Sequence, residues 1–301
     1  MPLLKLNPVW GSKTRILSET LLDFWDFEQL GIKTIWEKYG VKGQGVNVFV
    51  LDTGIDSTNI SFANHSITAK SFVENETPED VHGHGTWCCG KINADKVGIA
   101  PECHLFSAKV MDASGYGSDS DINKALTWAL ENNPQIISMS LGGYNLDKEQ
   151  EKLCAKIFEN GGIVLAAAGN EKTDEKTYPA AFKNVLAITA IDQEGNKADF
   201  NNYGQHVAVA APGVACYSTI LNNQFRKMSG TSMATPVTAG LIALGISYIL
   251  KKKQKYGIHE RDLIIQALEK SAVDLGEPGF DIYYGFGGIN GLGFMEHIDQ
   301  D

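Results

Sequence analysis

Two periodicities alternate along this chain. Nearly continuous apolar runs at 46–51, 105–110, 136–140, 163–168, 185–191 and 207–210 have the length of strands. Between and after them, apolar residues three and four apart predict helices over 32–39, 85–93, 120–132, 147–160, 231–254 and 260–271. A strand that is apolar on both faces must be covered on both faces. The pattern therefore predicts an α/β fold of three layers, a mostly parallel central sheet with helices on either side. No internal repeat or low-complexity linker interrupts the pattern, so we expect one domain over 31–301 behind an N-terminal extension over 1–30.

Three of these strands run straight into polar residues: Asp52, Ser140, and Asn170 after Ala166-Ala167-Ala168-Gly169. Open α/β sheets build their sites outside the carboxyl ends of strands, so this convergence suits one site. Gly230-Thr231-Ser232-Met233-Ala234-Thr235, followed by Pro236 and a long apolar helix pattern, puts a serine where a loop enters a helix. Backbone N–H groups and the positive dipole end point at the same spot. A hydroxyl there is a poor nucleophile until a base takes its proton and a third group orients that base. His84, opening a small-residue helix with Gly85-Thr86, and Asp52 have the right chemistry. His82 and Asp56 are nearby residues of the same types; a loop histidine and a solvated or capping carboxylate are the readings we favour for them.

The order Asp, His, Ser and six further segments make the chain resemble the subtilisin-like serine proteases. The segments are Gly98-Ile99-Ala100-Pro101, Ser138-Met139-Ser140-Leu141-Gly142-Gly143, Ala166–Asn170, Tyr178-Pro179-Ala180, Ala211-Pro212-Gly213 and Tyr284-Gly285-Phe286-Gly287-Gly288-Ile289-Asn290. They run in family order from about residue 30 to residue 294. The resemblance implies that Ser232 is the nucleophile, His84 the general base and Asp52 its orienting carboxylate. Asn170 and the Ser232 N–H would hold the oxyanion. It also implies that an extended peptide lies between Gly115-Tyr116-Gly117 and Ser140-Leu141-Gly142. Gly143, Ala168 and Gly169 would line the same cleft, with the glycines at 142, 143 and 169 leaving room for a side chain. Glu171, Asp174 and Glu175 lie close in sequence; a solvated loop is the reading we favour for them, and selection of a basic side chain at the cut is the alternative.

Composition narrows the class. A net charge of −10, from 26 Lys+Arg against 36 Asp+Glu, argues against a nucleic-acid partner. No stretch is read as approaching the ~18 apolar residues of a membrane span, so no membrane partner is expected. The first residues carry no basic segment followed by an unbroken apolar one, hence no export signal. Five cysteines are an odd number and Cys88-Cys89 are adjacent, which suggests reduced thiols and a cytoplasmic address. His82, His84, Cys88, Cys89, Cys103 and His104 fit no closed zinc spacing. The connection Lys91–Val97 is shorter than the calcium loop of many subtilases and has one carboxylate, so neither metal nor cofactor is expected.

The expected function is a cytoplasmic serine endopeptidase that hydrolyses peptide or protein substrates through an acyl-enzyme. Within the class, both intracellular subtilisins and lanthipeptide leader peptidases resemble the chain, so a dedicated leader-peptide or maturation protease is the alternative. Outside the class stands a pseudoprotease binding module, which generally lacks a member of the triad; here Asp52, His84, Ser232 and Asn170 are all present. By resemblance to intracellular subtilisins, Met1–Ser18, with Leu3-Leu4-Lys5-Leu6-Asn7-Pro8, is read as a segment that lies across the cleft, with a disordered or surface-packed terminus as the alternative.

Overall fold

The computed structural model describes residues 24–301 and, for the backbone alone, residues 3–5 and 9–10. Two short strands come first, β1 (Leu3–Lys5) and β2 (Val9–Trp10), followed by α1 (Trp25–Leu30) and α2 (Ile32–Tyr39). Alternation of strand and helix then begins: β3 (Asn47–Asp52), β4 (Ile67–Ser71), α3 (His84–Asn93), β5 (His104–Lys109), β6 (Tyr116–Ser118) and α4 (Asp119–Glu131). It continues through β7 (Ile136–Met139), α5 (Lys148–Glu159), β8 (Ile163–Ala167), β9 (Leu186–Ile191) and β10 (Val207–Pro212). The hairpin β11 (Cys216–Ile220) and β12 (Gln224–Ser229) leads into α6 (Thr231–Lys253), α7 (Ile258–Lys270) and α8 (Gly291–Asp299).

Seven strands form one all-parallel sheet in the order β10-β9-β8-β7-β3-β5-β4. Both faces are apolar, as the uninterrupted runs require. In β3, Val48 and Val50 face the core shared with α2, α3 and α6, while Phe49 and Leu51 face the core beneath α4 and α5. From β3 the chain runs to the edge strand β4, returns to β5 on the same side, then crosses to β7 on the other. That reversal opens a crevice at the carboxyl end of β3, where Asp52 stands.

Helix α1 falls inside the segment read as an extension, yet Trp25, Phe27 and Leu30 are buried in the main core. Asp26 and Lys91, both wholly buried, form an ion pair of 2.7 Å that ties α1 to α3. The calcium-loop connection thus begins with an internal cation.

Helix α6 corrects the membrane reading: it is long and apolar enough to cross a membrane. In the fold, however, 89% of its most apolar window is buried, and its first turn carries Ser232. A helix that is apolar all round belongs in the centre of a large core.

Other elements lie outside the pattern reading. Strand β4 is a polar edge with an exposed middle, so burial leaves no mark on its sequence. The β11–β12 hairpin turns on Asn222 and Asn223, at φ 61° and 58°. Two adjacent asparagines between strand-like runs are its sequence signal.

Candidate active site

Asp52 ends β3, flanked by β5 and β7, and its Oδ1 accepts the Thr53 N–H at 2.7 Å. His84 opens α3. Gly83 supplies the left-handed backbone before it, at φ 97°. Gly85 lets the helix sit on the turn after β3, because a Cβ there would fall 2.2 Å from the Gly54 carbonyl oxygen. This packing puts His84 Nδ1 2.8 and 3.0 Å from the two Asp52 oxygens. A carboxylate facing Nδ1 makes it the protonated nitrogen, which leaves Nε2 as an acceptor. That Nε2 is buried and has no hydrogen-bond partner among the described residues.

Ser232 is the second residue of α6. Its Oγ donates to the Ser140 carbonyl at 3.1 Å rather than to His84, so the aspartate–histidine half of the constellation is formed and the histidine–serine half is not. Cys88 Sγ joins the two helices, 3.8 Å from His84 Nδ1 and 3.7 Å from the Ser232 carbonyl oxygen. Burial, followed by the charge of Asp52, pushes the Cys88 thiol well above its ordinary pKa, so it is a neutral packing group.

Asn170 follows β8. Its Oδ1 accepts from Thr231 N at 2.9 Å and Thr231 Oγ1 at 3.0 Å, which identifies the oxygen and turns Nδ2 toward the start of α6. A side chain at Gly230 would put its Cβ 3.6 Å from that nitrogen. The amide and the first-turn N–H groups of α6 therefore serve one neighbourhood.

The two alternative residues lie elsewhere. Asp56 accepts from the Thr58 N–H and hydroxyl at 3.1 and 2.6 Å and from the Asn222 N–H at 3.0 Å, tying a turn to the hairpin. The ring of His82 lies 6.3 Å from that of His84, and burial, with His84 beside it, lowers its pKa.

Of the expected substrate strands, Tyr116 and Gly117 belong to β6, with Gly115 in the turn before it at φ 76°. Ser140, Leu141 and Gly142 continue from β7, and Ala168 and Gly169 from β8. The glycines do not all make room. Gly143 is locked to Tyr178 by two backbone hydrogen bonds of 3.0 and 2.7 Å. At Gly169, φ 113°, a Cβ would fall 2.1 Å from Asn202 Nδ2. Close packing, rather than a wide pocket, requires that glycine. Glu171 Oε2 accepts from Asn170 N at 2.9 Å and Asn202 Nδ2 at 2.8 Å, while Asp174 and Glu175 are exposed.

Among the described residues, the group closest to a metal-ligand cluster is Asp52, His84 and Cys88, whose ligand atoms lie within 4.8 Å of one another. Zinc binds thiolate, and Cys88 is held as thiol. Cys103, from the candidate zinc set, is pushed up to about 12 by burial.

A parallel sheet wrapped by helices, a buried aspartate–histidine pair and a serine at a helix start define a subtilisin-like serine peptidase, a hydrolase of peptide bonds. The chain belongs to the subtilase family, whose sequence profile residues 43–287 match. It is 35% identical over 261 residues to subtilisin DY of Bacillus licheniformis, covering 83% of this chain and 91% of that one. It is 33% identical over 277 residues to the major intracellular serine protease of Bacillus subtilis, covering 85% and 86%. A thermostable alkaline protease of Halalkalibacterium halodurans is 38% identical over 247 residues, with 79% of this chain and 65% of that protein aligned.

Proposed function

We propose that the chain is a cytoplasmic endopeptidase acting through Asp52, His84, Ser232 and Asn170. The observation that carries this reading is the 2.8 Å contact of His84 Nδ1 with Asp52 beside a buried Nε2 that has no hydrogen-bond partner among the described residues. A rotation of the Ser232 side chain away from the Ser140 carbonyl would give Nε2 its donor. Nε2 then takes the hydroxyl proton as Oγ attacks the scissile carbonyl, and Asp52 stabilises the imidazolium. The oxyanion receives hydrogen bonds from Asn170 Nδ2 and the Ser232 N–H. His84 returns its proton to the leaving amine, and water, deprotonated by the same imidazole, cleaves the ester.

Five buried, unbridged cysteines and the similarity to an intracellular serine protease support the cytoplasmic address. The acidic balance supports a partner set of peptides and proteins without nucleic acid, and the burial of α6 supports one without a membrane. Strand β1 pairs antiparallel with β6 in the register Leu3↔Ser118, Leu4↔Gly117, Lys5↔Tyr116, and β2 pairs with the end of β12. This pairing on a strand expected to receive substrate supports restraint of the enzyme by its own N-terminal segment. A fluorophosphonate that labels the wild type and leaves Ser232→Ala unlabelled, together with cleavage of an unstructured protein, tests the reading. An unlabelled wild type would overturn it.

A further inference from the structure

The contact between His84 and Asp52 depends on how α3 is seated against the turn after β3, and neither residue secures that seating. Gly83, which precedes the helix, has no side chain with which to cap it. The cap comes from Asp80, a buried carboxylate that accepts five hydrogen bonds. Its Oδ1 receives Thr53 Oγ1 at 2.9 Å, His82 N at 2.9 Å and Gly83 N at 2.8 Å. Its Oδ2 receives Thr86 N at 2.8 Å and Thr86 Oγ1 at 2.7 Å. Thr53 Oγ1 in turn accepts the Gly85 N–H at 2.8 Å, and Thr86 Oγ1 accepts the Asp56 N–H at 2.9 Å.

Every group in this network is the chain neighbour of a reacting residue or lies within a few residues of one. Thr53 follows Asp52, while Gly83 and Gly85 flank His84. The loop that presents Asp80 is itself tied to the same turn: Asp80 N donates to the Ile55 carbonyl at 3.1 Å, and Lys109 Nζ donates to the carbonyls of Thr53 and Glu79 at 3.0 and 3.1 Å. Hydrogen bonds to an ionised acceptor are short and strong, and a carboxylate is also favoured at a helix N-terminus. We propose that Asp80 is a positioning residue for catalysis, holding Asp52 and His84 in register through Thr53 and the first turn of α3. The role rests on the assignment of Asp52, His84 and Ser232 to the chemistry.

Asp80→Asn keeps the shape and removes one acceptor. Its NH₂ would meet two backbone N–H groups at the Oδ1 position, or the Thr86 N–H at the Oδ2 position, so no orientation restores the network. Titration with a fluorophosphonate counts competent serines, and kcat is then read per titrated site. We expect kcat per site to fall by about 10²-fold with KM held within about threefold, the pattern of misplaced catalytic groups. The low-field proton resonance of His84 Nδ1–H should shift or broaden as its contact with Asp52 loosens. Thr53→Val cuts the same link from the other side and serves if Asp80→Asn does not fold. It should lose kcat in the same way, and the double variant should be little worse than either single one. Turnover per titrated site within threefold of wild type, or an unmoved low-field resonance, would leave Asp80 a structural residue and overturn the proposal. A wild type that takes no label would overturn the triad and this role with it.

Discussion

Pro236 lies four residues after Ser232 in α6 and has no N–H, so the Ser232 carbonyl lacks the usual helical donor four residues on. That carbonyl accepts instead from Ser140 Oγ at 2.8 Å, with the Cys88 thiol at 3.7 Å. The Ser232 hydroxyl returns a bond to the Ser140 carbonyl. One missing donor thus ties the start of α6 to the end of β7. In Ser140→Ala the buried carbonyl loses its hydroxyl donor and keeps the weak thiol. We expect a loss of about 1–3 kcal/mol of stability, read from the denaturant midpoint at constant m. A change under about 0.5 kcal/mol would show that the tie carries no weight.

The triad should behave as one device. Ser232→Ala and His84→Ala should each lower kcat by about 10⁶-fold, a magnitude taken over from subtilisin, and the double variant should be no worse than either. Additive losses would refute the assignment. His82→Ala should retain most turnover, since Asp52 holds the Nδ1 of His84; a loss matching that of His84→Ala would name His82 as the base.

Asn170→Leu should act on kcat rather than KM, because in the proposed function the amide meets an oxygen that becomes charged only as the bond forms. The expected fall is about 10²–10³-fold, again the size measured in subtilisin. A defect confined to KM would make Asn170 a substrate contact.

Removal of residues 1–18 should abolish a lag. The full chain should start slowly on a short peptide and accelerate as its N-terminus is trimmed, since β1 occupies β6, the strand that the proposed function gives to substrate. Equal initial rates with no trimming would show that the segment restrains nothing.

Stability should fall on acidification below about pH 6.5. Burial lowers the imidazole pKa of His206, whose Nε2 has no hydrogen-bond partner among the described residues, and also lowers those of His82 and His104. The unfolded chain then binds protons in the window where the folded chain stays neutral. The resulting term favours unfolding below the ordinary histidine pKa and vanishes above it. His206→Asn should show a smaller drop in Tm between pH 7.5 and pH 5 than wild type. An unchanged drop would place the titration elsewhere.

The sequence by itself determined the layered sheet, because strands buried on both faces must be apolar throughout and helices between them must not be. It also placed Asp52, His84, Ser232 and Asn170 at strand ends and helix starts, and resemblance to the subtilase motifs, rather than periodicity, singled them out. Tertiary structure alone decided what periodicity does not encode. It showed that Gly169 packs against Asn202 rather than opening a pocket, that Trp25 and Asp26 belong to the core, and that Asp80 caps the His84 helix in place of Gly83. It also set the Ser232 hydroxyl on Ser140 rather than on His84. Apart from the Asp80 cap, which spans three to six residues, these are contacts between residues distant in the chain, chosen by close packing and by the need of buried donors for acceptors, and neither leaves a local mark.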